Sequence, residues 1–166
     1  MLLSGGDKKL YKKVLVPLDG SKLAECVLLH VEELAKSGMV KEIILLRVCE
    51  SPSIIADYPE SKNKTWEKHV ERITSNAQQQ CSLYINDVEQ SLKEKGFKVK
   101  AESSLGKPAE EIVNYANKNK VDLIVMASHG RSGISRWAYG SVAEKVLRSS
   151  CVPVLLIKVP GCVTGF

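Results

Sequence analysis

Short apolar segments alternate along this chain with stretches that are apolar on one stripe only. Residues 13–17, 42–49, 98–105, 121–126 and 154–158 read as strands, with unbroken apolar runs such as Ile43-Ile44-Leu45-Leu46 and Leu123-Ile124-Val125-Met126. Between them the period lengthens to that of a helix. Leu23, Val27, Val31 and Leu34 fall on one stripe of a helix over 21–36, with Gly38 as its stop. Trp66, Val70, Ile73, Ala77, Cys81, Tyr84, Val88 and Leu92 step by three or four over 65–95, and Gly96 ends that helix. A third helix starts at the Gly106-Lys107-Pro108 turn with Ile112, Val113 and Ala116 inward, and a fourth runs over 141–148. Residues 50–64 carry Pro52 and Pro59 without a period and read as a loop. Strands alternating with helices call for an α/β fold, a parallel sheet covered on both faces and joined by right-handed crossovers. The expected organisation is a tail over 1–10, one domain over 11–159 and a second tail over 160–166.

Composition narrows the classes. A chain of 166 residues fits one domain and buries about 70% of its unfolded surface. A net charge of +5 is mild, and the basic residues are interleaved with acids. There is no lysine or arginine run and no aromatic platform, which argues against a nucleic-acid partner. No apolar run approaches the roughly 18–20 residues of a membrane span. Met1-Leu2-Leu3 is too short for a signal-peptide core, so Asn63-Lys64-Thr65 is read as a chance glycosylation pattern. Cys26, Cys49, Cys81, Cys151 and Cys162 form an odd set with no CxxC. The expectation is reduced thiols packed as small hydrophobes in a cytoplasmic protein, with Cys162 the exposed one. His30, His69 and His129 are scattered and do not suggest a metal site.

The candidate chemistry lies after the fourth strand. Ala127-Ser128-His129-Gly130 is followed nine residues later by Gly140-Ser141, and then by the helix. A strand, a glycine-bearing loop and a helix start make an anion site: glycine permits close backbone approach, and the helix start offers unpaired N–H groups. Arg131, Arg136, Lys145 and Arg148 lie in this region against Glu144 alone. Ser128 and Ser141 add hydroxyl donors, and Ser141 also suits a helix cap. Two other motifs fail. Ser4-Gly5-Gly6-Asp7 precedes the first strand, and Gly106-Lys107 lacks both the first glycine and the Ser/Thr of a P-loop.

The Gly-x2-Gly-x9-Gly-Ser spacing, with Ala127 in place of its first glycine, resembles the nucleotide-binding pattern of the ATP-binding universal stress proteins. Val14-Leu15-Val16-Pro17-Leu18-Asp19-Gly20-Ser21 is similar to that family's opening strand and turn, and Ser128-His129-Gly130-Arg131-Ser132-Gly133 is typical of it. The resemblance implies a Rossmann-like, open five-stranded parallel sheet with helices on both faces and strand order 3-2-1-4-5. Its ligand crevice would lie where that order reverses. Asp19 before Gly20 suits a turn; the resemblance implies that it also accepts from ribose hydroxyls or lies beside adenine, that Pro17 and Leu18 wall the base and that the Val48 backbone reads the base edge. Ala127, Ser128, His129, Gly130 and Arg131, with Gly140, Ser141 and Val142, would hold the phosphates. ATP would bring Mg2+ bound mainly to its own phosphate oxygens and water.

Three functional readings follow. The favoured one is an ATP-binding module of stress response or regulation. A second is an ATPase or nucleotide-transferring enzyme using His129 or Asp19; nothing in the spacing fixes such geometry, and no residue is assigned as catalytic. The third is an interaction dimer that has lost nucleotide binding, which Ala127 would permit. A homodimer through the fifth strand is expected, because Val154-Leu155-Leu156-Ile157 is apolar on both alternating sets yet falls at a sheet edge.

Overall fold

A computed structural model describes residues 11–50, 64–128 and 140–158. The elements in chain order are β1 (Lys13–Pro17), α1 (Lys22–Glu25), α2 (Val27–Lys36), β2 (Glu42–Cys49), α3 (Lys64–Glu94), β3 (Val99–Leu105), α4 (Pro108–Lys118), β4 (Leu123–Ala127), α5 (Ser141–Ser149) and β5 (Val154–Ile157). All strand pairs are parallel, and the sheet order is β3-β2-β1-β4-β5.

The period of two along each strand divides the apolar runs between two layers. Val14 and Val16, Ile43 and Leu45, Leu123 and Val125 face α1, α2 and α3. Leu15, Ile44 and Leu46, Ile124 and Met126 face α4 and α5. An unbroken apolar strand is therefore what a sheet covered on both faces requires. The helices complete each layer with the stripes their spacing predicts. Val27 and Val31, then Cys81 and Leu92, are buried on one side, and Ile112 and Ala116 on the other. The stripe expected on the long helix omits Ile85, which is 1% exposed in the first layer.

The single helix expected over 21–36 is two. Cys26 interrupts it while keeping a right-handed backbone (φ −59°, ψ −21°). Its thiol donates to the Lys22 carbonyl at 3.3 Å, a local side-chain bond of the kind that competes with helix continuation. The cysteines also depart from expectation. Cys49 at the end of β2 and Cys81 within α3 are joined in a disulfide, while Cys26 and Cys151 are exposed free thiols. The pair is separated by 32 residues, and only the packing of α3 across the sheet brings it together. Cys162 lies outside the described residues, as do both tails.

Among the described residues no helix is long and apolar enough to cross a membrane. β5 forms one edge of the sheet. Val154 and Leu156 pack into the α4/α5 layer and Ile157 into the other, while Leu155 remains 39% exposed.

Candidate functional site

The chain leaves β3 at one edge of the sheet and returns through α4 to β4, on the other side of β1. The connections from β1 and β4 therefore part in opposite directions, and a crevice opens beyond their carboxyl ends. A cleft of about 480 Å³ occupies this place. Its walls come from segments far apart in sequence: Pro17, Leu18 and Asp19 after β1, Arg47 to Glu50 at the end of β2, Met126 and Ala127 of β4, and Gly140 to Ala143 at the start of α5. Seven of the expected site residues besides Asp19 thus meet in one cavity: Pro17, Leu18, Val48, Ala127, Gly140, Ser141 and Val142.

Local bonding explains how each wall is held. The Leu18 N–H donates to the Leu46 carbonyl at 2.9 Å, which carries the β1–β2 ladder past Pro17. Asp19 Oδ1 accepts from the Ser21 N–H at 2.9 Å and from the Ser21 hydroxyl at 2.6 Å. Ser21 Oγ in turn accepts from the Ala24 N–H at 3.1 Å and caps α1. Asp19 thus both holds the turn and lines the cleft. Gly20 adopts φ +83°, a left-handed conformation that favours glycine.

On the opposite wall, Ser128 is 4% exposed. Its N–H donates to Ile157 O at 2.9 Å, and its carbonyl accepts from the Gly140 N–H at 2.8 Å. That second bond ties the end of β4 to the start of α5. Gly140 is the N-cap of α5 and makes no side-chain capping bond. Ser141 is thus the first helical residue, where a cap was one of its two expected roles. The amides of the first turn of α5 have no intrahelical acceptor, and this turn borders the cleft. Ala127 ends β4 in register with Ile157. A strand conformation accepts any residue there, so the missing glycine leaves the local backbone undisturbed. His129, Gly130, Arg131 and Arg136 lie outside the described residues.

Of the four cations expected near the loop, Lys145 and Arg148 are described. Lys145 and Arg148 are exposed on α5 and do not line the cleft; Arg148 pairs with Glu144 at 3.0 Å. Among the described residues the cation lining the cleft is Arg47, which sequence reasoning missed. Its guanidinium lies 4.5 Å from the Tyr84 ring centroid. The Tyr84 hydroxyl donates to Glu25 Oε1 at 3.0 Å. Burial first, and the Glu25 carboxylate second, hold this phenol protonated well above the usual tyrosine range. The signal for Arg47 was available: it is the one charged residue in the run 43–49.

The donor set bears on magnesium. The described carboxylates bordering the cleft are Asp19 and Glu50. No group of three His, Cys, Asp or Glu side chains that would hold a metal occurs among the described residues. The fit is to a cation carried by its ligand, with Asp19 or Glu50 reached through water.

A sequence model of the universal stress protein family matches residues 10–158. The chain belongs to this family. Universal stress protein MJ0577 of Methanocaldococcus jannaschii is 33% identical over 156 residues, which cover 90% of this chain and 96% of that protein. The solved structure of MJ0577 superposes with a TM-score of 0.77, covering 91% of this chain and 98% of that one at 34% identity. Two further solved structures share the fold. One is a universal stress protein family protein from Arabidopsis thaliana with AMP bound (TM-score 0.60, 17% identity, 93% of this chain and 95% of that one). The other is a universal stress protein in complex with cAMP (TM-score 0.54, 20% identity, 90% and 98%).

Proposed function

We propose that this protein binds an adenine nucleotide, ATP with its magnesium, in the switch-point cleft, and that it works as a ligand-sensing module of the stress response. The observation that carries this reading is the convergence of two walls of opposite character on one cavity. Pro17, Leu18 and Val48 offer apolar surface to a base beside the Asp19 carboxylate, and the first turn of α5 offers amides to phosphates. Nucleotide-bound relatives of the same fold, with AMP in one and cAMP in another, support the ligand class. Ser128, His129, Gly130 and Arg131 would complete the phosphate side.

Binding without chemistry is the simpler account of the residues. Phosphoryl transfer needs a positioned nucleophile and charge stabilisation at the γ-phosphate. No acidic residue occurs from 127 to 142, and Asp19 stands on the ribose side of this pose. Nucleotide would then act by biasing conformation or contacts between copies, in a homodimer paired through β5.

Calorimetric titration with ATP, AMP and ADP, each with magnesium, tests the reading on protein shown to be folded and ligand-free. ATP is expected to bind more tightly than AMP, whose single phosphate leaves part of the α5 end unused. Absence of heat and of any melting shift at millimolar ATP would refute it. A single-turnover rate of ~1 s⁻¹, within the ordinary enzyme range, that collapses in His129→Ala would make the protein an ATPase instead.

A further inference from the structure

We propose that Cys49 and Cys81 form a reversible thiol–disulfide switch in the wall of the nucleotide cleft, operated by a low-molecular-weight thiol and its disulfide. The inference rests on the nucleotide reading of that cleft and adds its regulation.

The two sulfurs are inequivalent. Cys81 is 1% exposed within α3. Cys49 is half-buried at the end of β2 and lines the cleft, next to Val48. An external thiolate therefore reaches Cys49 Sγ. The S–S bond breaks, Cys81 leaves as thiolate and takes a proton from water, and a mixed disulfide remains on Cys49. A second external thiolate attacks the outer sulfur of that mixed disulfide, forms the small disulfide and releases Cys49. In sum, two external thiols are oxidised to one disulfide while the protein disulfide is reduced to two thiols. Oxidation runs the same steps backwards, with Cys49 as attacking thiolate and Cys81 as the resolving sulfur.

The surroundings suit both states. Arg47 Nε lies 3.3 Å from Cys49 Sγ, and a guanidinium at that distance favours the thiolate over the thiol. Once reduced, Cys81 has the Arg47 and Ser104 carbonyls at 3.8 and 4.0 Å from its sulfur as acceptors. The backbone at Cys49 is held separately, since its carbonyl accepts from the Gly106 N–H at 2.9 Å. Opening the bond therefore leaves the sheet in place and releases the side chain. Two unbonded sulfurs need van der Waals separation. Cys81 is enclosed, so the displacement falls on Cys49 and on the Arg47 guanidinium beside it, both in the cleft wall. Nucleotide affinity then depends on redox state, and by linkage nucleotide shifts the redox equilibrium by the same factor.

The test uses the full chain with Cys26→Ser, Cys151→Ser and Cys162→Ser, so that only the pair remains. The protein is equilibrated in glutathione buffers of graded ratio, with and without magnesium ATP, then acid-quenched, alkylated and counted by mass. ATP affinity is measured at both extremes. The disulfide form, with its wall fixed, is expected to bind ATP at least about fivefold more tightly. ATP is expected to move the glutathione midpoint toward disulfide by the same factor. Cys49→Ser/Cys81→Ser should bind like the reduced form in every buffer; should it fail to fold, the titration of the intact pair still decides. ATP affinities equal within about twofold in the two states, or no disulfide in oxidised glutathione, would overturn the switch and leave the nucleotide reading standing. No ATP binding in either state would overturn both.

Discussion

Replacing Gly20 with alanine probes the turn that places Asp19. Gly20 sits at φ +83°, and a Cβ built there would collide with Arg47 Nη1 and lie 3.1 Å from Arg47 Cζ and Nη2. Two costs follow. A left-handed backbone costs an L-residue with a Cβ roughly 1–2 kcal/mol. The colliding atoms are the end of a flexible side chain, so Arg47 swings away and forfeits its place over Tyr84, worth about 0.5–1 kcal/mol at a partly exposed site. Together Gly20→Ala should destabilise the protein by about 1.5–3 kcal/mol. At the 2–4 °C per kcal/mol usual for a domain of this size, the melting temperature should fall by about 3–12 °C. Urea and thermal denaturation measure the loss, and a double-mutant cycle divides it. In an Arg47→Ala background the collision is gone, so Gly20→Ala should cost only the backbone share, with a coupling of about 0.5–1 kcal/mol. A Gly20→Ala protein within about 0.5 kcal/mol of the parent would refute the turn geometry. An equal cost in both backgrounds would refute the placement of Arg47.

Three further outcomes are expected. Gly140→Val should abolish ATP binding in calorimetry while the circular dichroism spectrum persists, because φ −57° at this N-cap tolerates a side chain and only close approach of a ligand requires glycine; binding like the parent would place the phosphates elsewhere. Leu155→Lys should convert a light-scattering dimer to monomer, since Leu155 is the exposed apolar residue of edge strand β5 and a charge on an edge opposes pairing; an intact dimer would move the interface. Tyr84 has a folded pKa above its unfolded value, so its contribution is complete below about pH 10 and lost as pH rises beyond it; Tyr84→Phe should flatten that alkaline decline, and an unchanged slope would remove Tyr84 as its source.

Much of the fold was legible because strand and helix periods are local. The runs at 43–46 and 123–126 are apolar at every position, which only a sheet covered on both faces can bury, and the structure divides them residue by residue between two layers. Glycine at 96 marked a helix end that the structure places two residues earlier, since a left-handed stop leaves a local signature (φ +86°). The cleft residues Pro17, Leu18, Asp19, Ala127, Gly140 and Ser141 were visible through motif order, because a loop that approaches a ligand needs particular residues at particular spacings. What stayed hidden depends on contacts across the sheet. Arg47 stood out as a charge in an apolar run, yet its role required knowing that α3 brings Tyr84 beneath it. The meeting of Cys49 and Cys81 required the same packing, because a bond across 32 residues leaves no periodicity to read. Lys145 and Arg148 were near the glycine loop in sequence, but the rotation of α5 directs them to solvent and Ala143 and Val146 to the core. Sequence by itself determined which segments could bury a face and which could approach a ligand; tertiary structure alone decided which distant side chains share the cleft, because that is set by helix packing on the sheet.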